Sequence, residues 1–149
     1  MPMHRGSVLL IAAAAFIAGI FVHAVLVPTP AVAAQSANRV FELRTYTAPE
    51  GKLGELSARF RDHTLGLFKK HGITNIGYFT PQDAPTSPNT LVYLIAHQSR
   101  EAAKKSWAAF QADPDWQKAR AASQVNGPLT VQGGVVSVFL NPTDYSPMK

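Results

Sequence analysis

The sequence contains no cysteine, which excludes a disulfide framework, a thiol nucleophile, a thiolate metal site and a lipidated cysteine. Such a domain must be held together by its core. Acidic residues are scarce too, 9 against 14 Lys and Arg, giving a net charge of +5. The excess is scattered as Lys69-Lys70, Arg100, Lys104-Lys105 and Lys118 to Arg120. Solvated helix faces account for such a pattern as well as an anionic partner or membrane surface does. No motif interleaves basic and aromatic residues, so nucleic acid is not expected as a partner.

At 149 residues the chain has room for one domain, and its first part differs from the rest. His4 and Arg5 give a short basic start, Val8 to Val27 is almost wholly apolar, and Ala31 to Ala34 supplies small residues. That order is the layout of a secretory signal peptide, with cleavage expected after Ala33 or Ala34. The apolar run also approaches the length that spans a bilayer, so an uncleaved N-terminal anchor is the alternative. Residues 1–34 are therefore read as a signal peptide or membrane anchor, and 35–149 as the domain with a short C-terminal tail. Either way the domain is expected to be exported, periplasmic or extracellular, and to meet a membrane only through the N-terminal segment. The roughly 115 residues from Gln35 onward are enough for an ordinary single-domain core.

From about Arg39, the stretch Val40 to Tyr46 reads as a first strand. Phe41, Leu43 and Thr45 project to one side and Glu42, Arg44 and Tyr46 to the other, because strand side chains alternate. The apolar set is expected to pack on helices and the polar set to line the opposite face. Thr47-Ala48-Pro49-Glu50 matches a capping box. Leu53, Leu56, Phe60 and Leu67 then predict an apolar helix stripe through about His71, with His63 on it and Gly72 as the left-handed stop. Ile73 to Thr80 and Leu91 to His97 read as the second and third strands, separated by a proline-rich loop. Ser99 can cap the next helix, which carries Ala103, Trp107 and Phe110 on one face. Asp113-Pro114-Asp115-Trp116 starts another helical piece through about Ser123, with Trp116 directed inward. Leu129 to Leu140 is the fourth strand, where Gly133-Gly134 marks a bulge or close backbone approach. The order predicts a ferredoxin-like βαββαβ, α+β fold: a four-stranded antiparallel sheet with both helices on one face. A single layer leaves the second sheet face uncovered, so a two-fold homodimer closing into an α/β barrel is expected.

Phe41 to Tyr46, Gly51-Lys52-Leu53, His71-Gly72, the strand from Asn89 to His97 followed by Ser99, and Asp113-Pro114-Asp115-Trp116 together resemble a NIPSNAP domain. The resemblance spans about Arg39 to Leu140. It implies a dimeric α/β barrel of ferredoxin-like units, with the second half-barrel supplied by another copy. It implies no general reaction and no cofactor. The wider superfamily includes cofactor-independent monooxygenases, haem-degrading and dehalogenating enzymes, so the fold does not fix the function.

The candidate binding residues are Glu42, Arg44, Tyr46, His63 and Trp107. Glu42 and Arg44 could pair and orient an acidic or carbonyl-bearing ligand, with Tyr46 as donor, or form a structural ion pair at the dimer seam. His63 and Arg44 are the candidate catalytic residues, as base and electrostatic stabiliser. A metal site built from His63, His71 and His97 would require three rings to converge, which the spacing does not compel; no metal is expected. His71, beside the helix stop, reads as a cap favoured by the helix dipole. Trp107, Phe110 and Trp116 are core or the wall of an apolar pocket, and Tyr78, Tyr93 and Asn75 are weaker pocket candidates. The leading expectation is an exported homodimeric module that binds a small, partly apolar, anionic ligand or docks a partner. One alternative is a cofactor-independent monooxygenase or isomerase, and another is a structural envelope-interaction protein.

Overall fold

The strand that opens the folded part runs antiparallel between two others, and the remaining elements follow from what its two faces meet. The computed structural model describes residues 39–149, so the expected signal peptide or anchor lies outside the described residues. In order come β1 (Val40–Thr47), α1 (Leu53–Arg59), a π-helical turn (Phe60–Thr64), α2 (Leu65–Lys70), β2 (Thr74–Phe79), β3 (Thr90–His97), α3 (Arg100–Ala112), α4 (Pro114–Ser123) and β4 (Val135–Leu140). The strands lie in the order β2-β3-β1-β4 with every neighbouring pair antiparallel. This is the expected ferredoxin-like sheet, with the helices on one face. Among the described residues no helix is long and apolar enough to cross a membrane.

Local chemistry explains most helix ends. The Ser99 hydroxyl accepts the Ala102 N–H at 3.0 Å and caps α3. Asp113 accepts the Asp115 N–H at 2.8 Å and caps α4, with Pro114 at the first helical position. Gly72 follows α2 at φ +73°, a backbone state that costs glycine little. The Thr47–Glu50 capping box does not form. α1 starts after Lys52 without a side-chain cap, because Thr47 is still part of β1. Its N–H donates to the Gly134 carbonyl at 2.7 Å and its own carbonyl accepts from Val131 N–H at 2.9 Å. A Cβ on Gly134 would stand 2.9 Å from that Thr47 carbonyl oxygen. The close approach expected at Gly133-Gly134 is thus real, and it delays β4 until Val135.

The first helix differs from its expected stripe. The buried apolar positions and Thr64 fall at every fourth residue, Leu56, Phe60, Thr64 and Phe68, with Arg59 buried beside them. In a helix of 3.6 residues per turn, each four-residue step overshoots by roughly 40°. The π turn, in which Leu65 N–H reaches back five residues to the Phe60 carbonyl, absorbs that drift. Thr64 therefore occupies the inward position, and His63 is exposed.

The faces of β1 are the reverse of the expectation. Glu42, Arg44 and Tyr46 stand opposite Ile95, Tyr93 and Leu91 of β3, and those three belong to the core under the helices with Phe60, Phe68 and Phe110. Phe41, Leu43 and Thr45 instead share the helix-free face with Leu140, Val138 and Val136 of β4. That face is apolar and open: Val136 is 54% and Val138 48% exposed. At one end it carries the C-terminal segment, where Phe41, Leu94, Leu140, Pro142 and Met148 line a small pocket.

Candidate functional site

Polar residues facing a helix layer need partners there, and Glu42 finds four. Its Oε1 accepts Arg44 Nη1–H and Ser137 Oγ–H, both at 2.6 Å. Its Oε2 accepts Trp107 Nε1–H at 2.8 Å and His97 Nε2–H at 3.0 Å. The residue is 1% exposed. Burial by itself would raise its pKa, but the donors from His97, Ser137, Trp107 and Arg44 outweigh burial and lower it to about 2. Glu42 is therefore a fixed carboxylate that fills both lone-pair sets on each side with donors from β1, β3, α3 and β4.

Arg44 leaves this cluster toward the helices. Its guanidinium stands 4.4 Å from the centroid of the Trp107 ring and 5.6 Å from that of Tyr46, within cation–π range. Nη2 donates to the Tyr46 hydroxyl at 3.4 Å. Its Nε is buried with no hydrogen-bond partner. Burial opposes the charge, but the neighbouring phenols and Glu42 hold the guanidinium above its ordinary pKa. Beside it opens a cavity of about 490 Å³, walled by Tyr46, Trp107, Trp116 and Gln117, with Arg120 also on its lining. The Tyr93 hydroxyl is buried without a partner as well, and burial pushes its pKa well up. This part of the sheet–helix layer thus offers more donors than acceptors, an arrangement suited to an anion carried on a flat apolar body.

The structure brings Glu42, Arg44, Tyr46 and Trp107 into one cluster and leaves His63 out of it. His63 lines a separate groove between α1 and α4, so it shares no cavity with Arg44. The three histidines stay apart. His71 stands at the C-cap of α2, as expected, and its Nε2 also meets Asp113 Oδ2 at 2.6 Å. Lys70 Nζ lies 2.8 Å from the same oxygen. His97 faces Glu42. Among the described residues no group of three His, Cys, Asp or Glu is placed to hold a metal ion. Asn75 and Tyr78 serve the scaffold: the Tyr78 hydroxyl donates to Asn75 Oδ1 at 2.5 Å, and Asn75 Nδ2 donates to the Leu65 carbonyl at 3.0 Å. Trp116 packs on Phe110 with ring centroids 4.5 Å apart and also walls the cavity, so it belongs to both core and pocket.

Sequence reasoning passed over Ser137, Arg59 and Arg120. Ser137 had a signal, being the one polar residue in Val135-Val136-Ser137-Val138-Phe139-Leu140. Arg59 had one too, three residues after Leu56 on the buried side of α1.

A family model described as NIPSNAP matches residues 41–147. The chain belongs to the NIPSNAP family. Solved structures of NIPSNAP proteins agree with this assignment. An uncharacterized NIPSNAP-like domain protein from Burkholderia xenovorans is 23% identical at a TM-score of 0.64, over 74% of this chain and 90% of the other. A NIPSNAP family protein with unknown function from Agrobacterium tumefaciens is 22% identical at 0.64, over 76% and 96%. SnoaB, a cofactor-independent oxygenase from Streptomyces nogalater, is 14% identical at 0.50, over 74% and 99%. At these identities the likeness establishes the fold of this NIPSNAP domain and not its activity. The comparison with curated proteins found no match.

Proposed function

We propose that this NIPSNAP domain is an exported binding module that holds a small, partly apolar, anionic ligand between its sheet and helices α3 and α4. The observation that carries the reading is Arg44. It is anchored by Glu42, stacked on Trp107, and keeps a buried, unpartnered Nε beside a cavity of about 490 Å³ lined by two indoles. A guanidinium fixed in that way recognises a carboxylate or phosphate by charge-assisted hydrogen bonds, while the indoles take the apolar part. The bare face of the sheet, with Val136 and Val138 half exposed, supports a homodimer formed by a second copy covering it.

Catalysis with His63 as base has no support in this geometry, since His63 and Arg44 line different cavities. The test is native mass spectrometry of the full chain purified from its own host. A bound anionic small molecule is expected on the wild type and absent from Arg44→Ala at unchanged oligomeric state. A wild type that carries no ligand and binds no aromatic carboxylate in titration would favour the purely structural role. Collapse of Arg44→Ala would make the Glu42–Arg44 pair a structural one.

A further inference from the structure

A second group of residues, on the other side of α4, is not used by that site. Arg59 is 6% exposed, yet among the described residues it forms no salt bridge. Its guanidinium lies 5.3 Å from the centroid of the Trp116 ring. Nη1 reaches only Ser123 Oγ, at 3.5 Å, and Nε is buried without a partner. Burial, with Arg120 nearby, holds its pKa below the ordinary value, against the favourable field of Tyr46. Stacking on an indole offsets only a small part of the cost of burying a charge. A buried guanidinium with this little compensation calls for an anion.

Arg59 lines a groove of about 340 Å³ between α1 and α4. Three alanines, Ala58, Ala119 and Ala122, give its lining a small apolar part. Its lining also carries two carboxylates: Glu55, engaged by Lys52 at 2.7 Å, and Asp62, which is exposed and forms no salt bridge among the described residues. A simple anion entering the groove would be attracted by Arg59 and repelled by Asp62. A ligand bearing both charges satisfies the two together, and the small alanine side chains of the lining leave room for a short aliphatic side chain.

We propose that this groove is a binding site for a small aliphatic amino acid, its carboxylate on Arg59 and its ammonium toward Asp62. The groove shares no lining residue with the Arg44 cavity, and Trp116, on which Arg59 lies, stands between the two. The test is calorimetric titration of the full chain with leucine, N-acetyl-leucine and leucinamide. Leucine should bind, with N-acetyl-leucine and leucinamide each weaker by about tenfold or more, as expected for losing one charge-assisted contact. Arg59→Gln should abolish leucine binding. Should that variant not fold, Asp62→Asn, a change on the exposed rim, should lower leucine to the level of N-acetyl-leucine. Absence of leucine binding to the folded wild type, or equal binding of the three compounds, would overturn the proposal.

Discussion

The two faces of β1 carry different chemistry, and their surroundings invert the usual arrangement. On the helix side, Glu42, Arg44 and Tyr46 are covered by α1, α3 and α4 and tied into hydrogen bonds and ring contacts. On the other side, Phe41, Leu43 and Thr45 share an apolar surface with the exposed Val136 and Val138. Burial of the charged set is tolerable because each Glu42 oxygen receives two donors; a buried charge lacking them would cost several kcal/mol. On the apolar side Phe41 is buried, whereas Val136 and Val138 stay half exposed, a surface of the kind that a second molecule can cover. In the proposed reading, the polar face serves a ligand and the apolar face a second copy.

That division can be broken at Glu42 first. Glu42→Ala takes the acceptor from Arg44, Ser137, Trp107 and the fully buried His97 and is expected to cost about 3–5 kcal/mol in urea unfolding. Acid should erode the same contribution. The folded pKa of Glu42 is lowered, so its stabilisation is present above the unfolded value of 4.5 and is lost as pH falls from there toward about 2. A stability profile that is flat over that window, or identical in wild type and Glu42→Ala, would show that the network contributes nothing. Ser137→Ala removes one donor while the carboxylate keeps three, for an expected loss of about 1 kcal/mol. The smallest effect on stability belongs to the opposite face. Val138→Asp should change the stability of the subunit by less than about 0.5 kcal/mol while lowering the mass measured by light scattering to that of one chain. An unchanged mass would mean that the apolar face is not where two copies meet.

Much of this fold is written in short segments of sequence. Ser99 and Asp113 cap the helices they precede and Gly72 stops the first one, since each depends on residues a few positions apart. The Gly133-Gly134 approach lies where it was expected, although the backbone it meets, at Thr47, is far off in sequence. The alternation of β1 is equally legible; the direction of its two faces is not. What turns Glu42 toward the helices is the set of donors on His97, Trp107 and Ser137, which lie 55, 65 and 95 residues away. Polarity alone suggested the opposite, because an apolar set is the default choice for a buried face. The candidate site was half legible for the same reason. Glu42, Arg44, Tyr46 and Trp107 were singled out by residue type, whereas the exclusion of His63 depends on a single widened helical turn.

That turn also bears on how the domain tolerates changes in length. Removing a residue from an ordinary helix swings everything beyond it by about 100°, and would carry Phe68 away from the core. Here the five residues Phe60–Thr64 hold the surplus of one residue in a wider loop of backbone. A chain shortened by one position within that turn could close it to α geometry with Leu56 and Phe68 still facing the sheet. The first helix thus contains its own slack, placed beside Arg59, where a change of one residue would alter the groove before it altered the core.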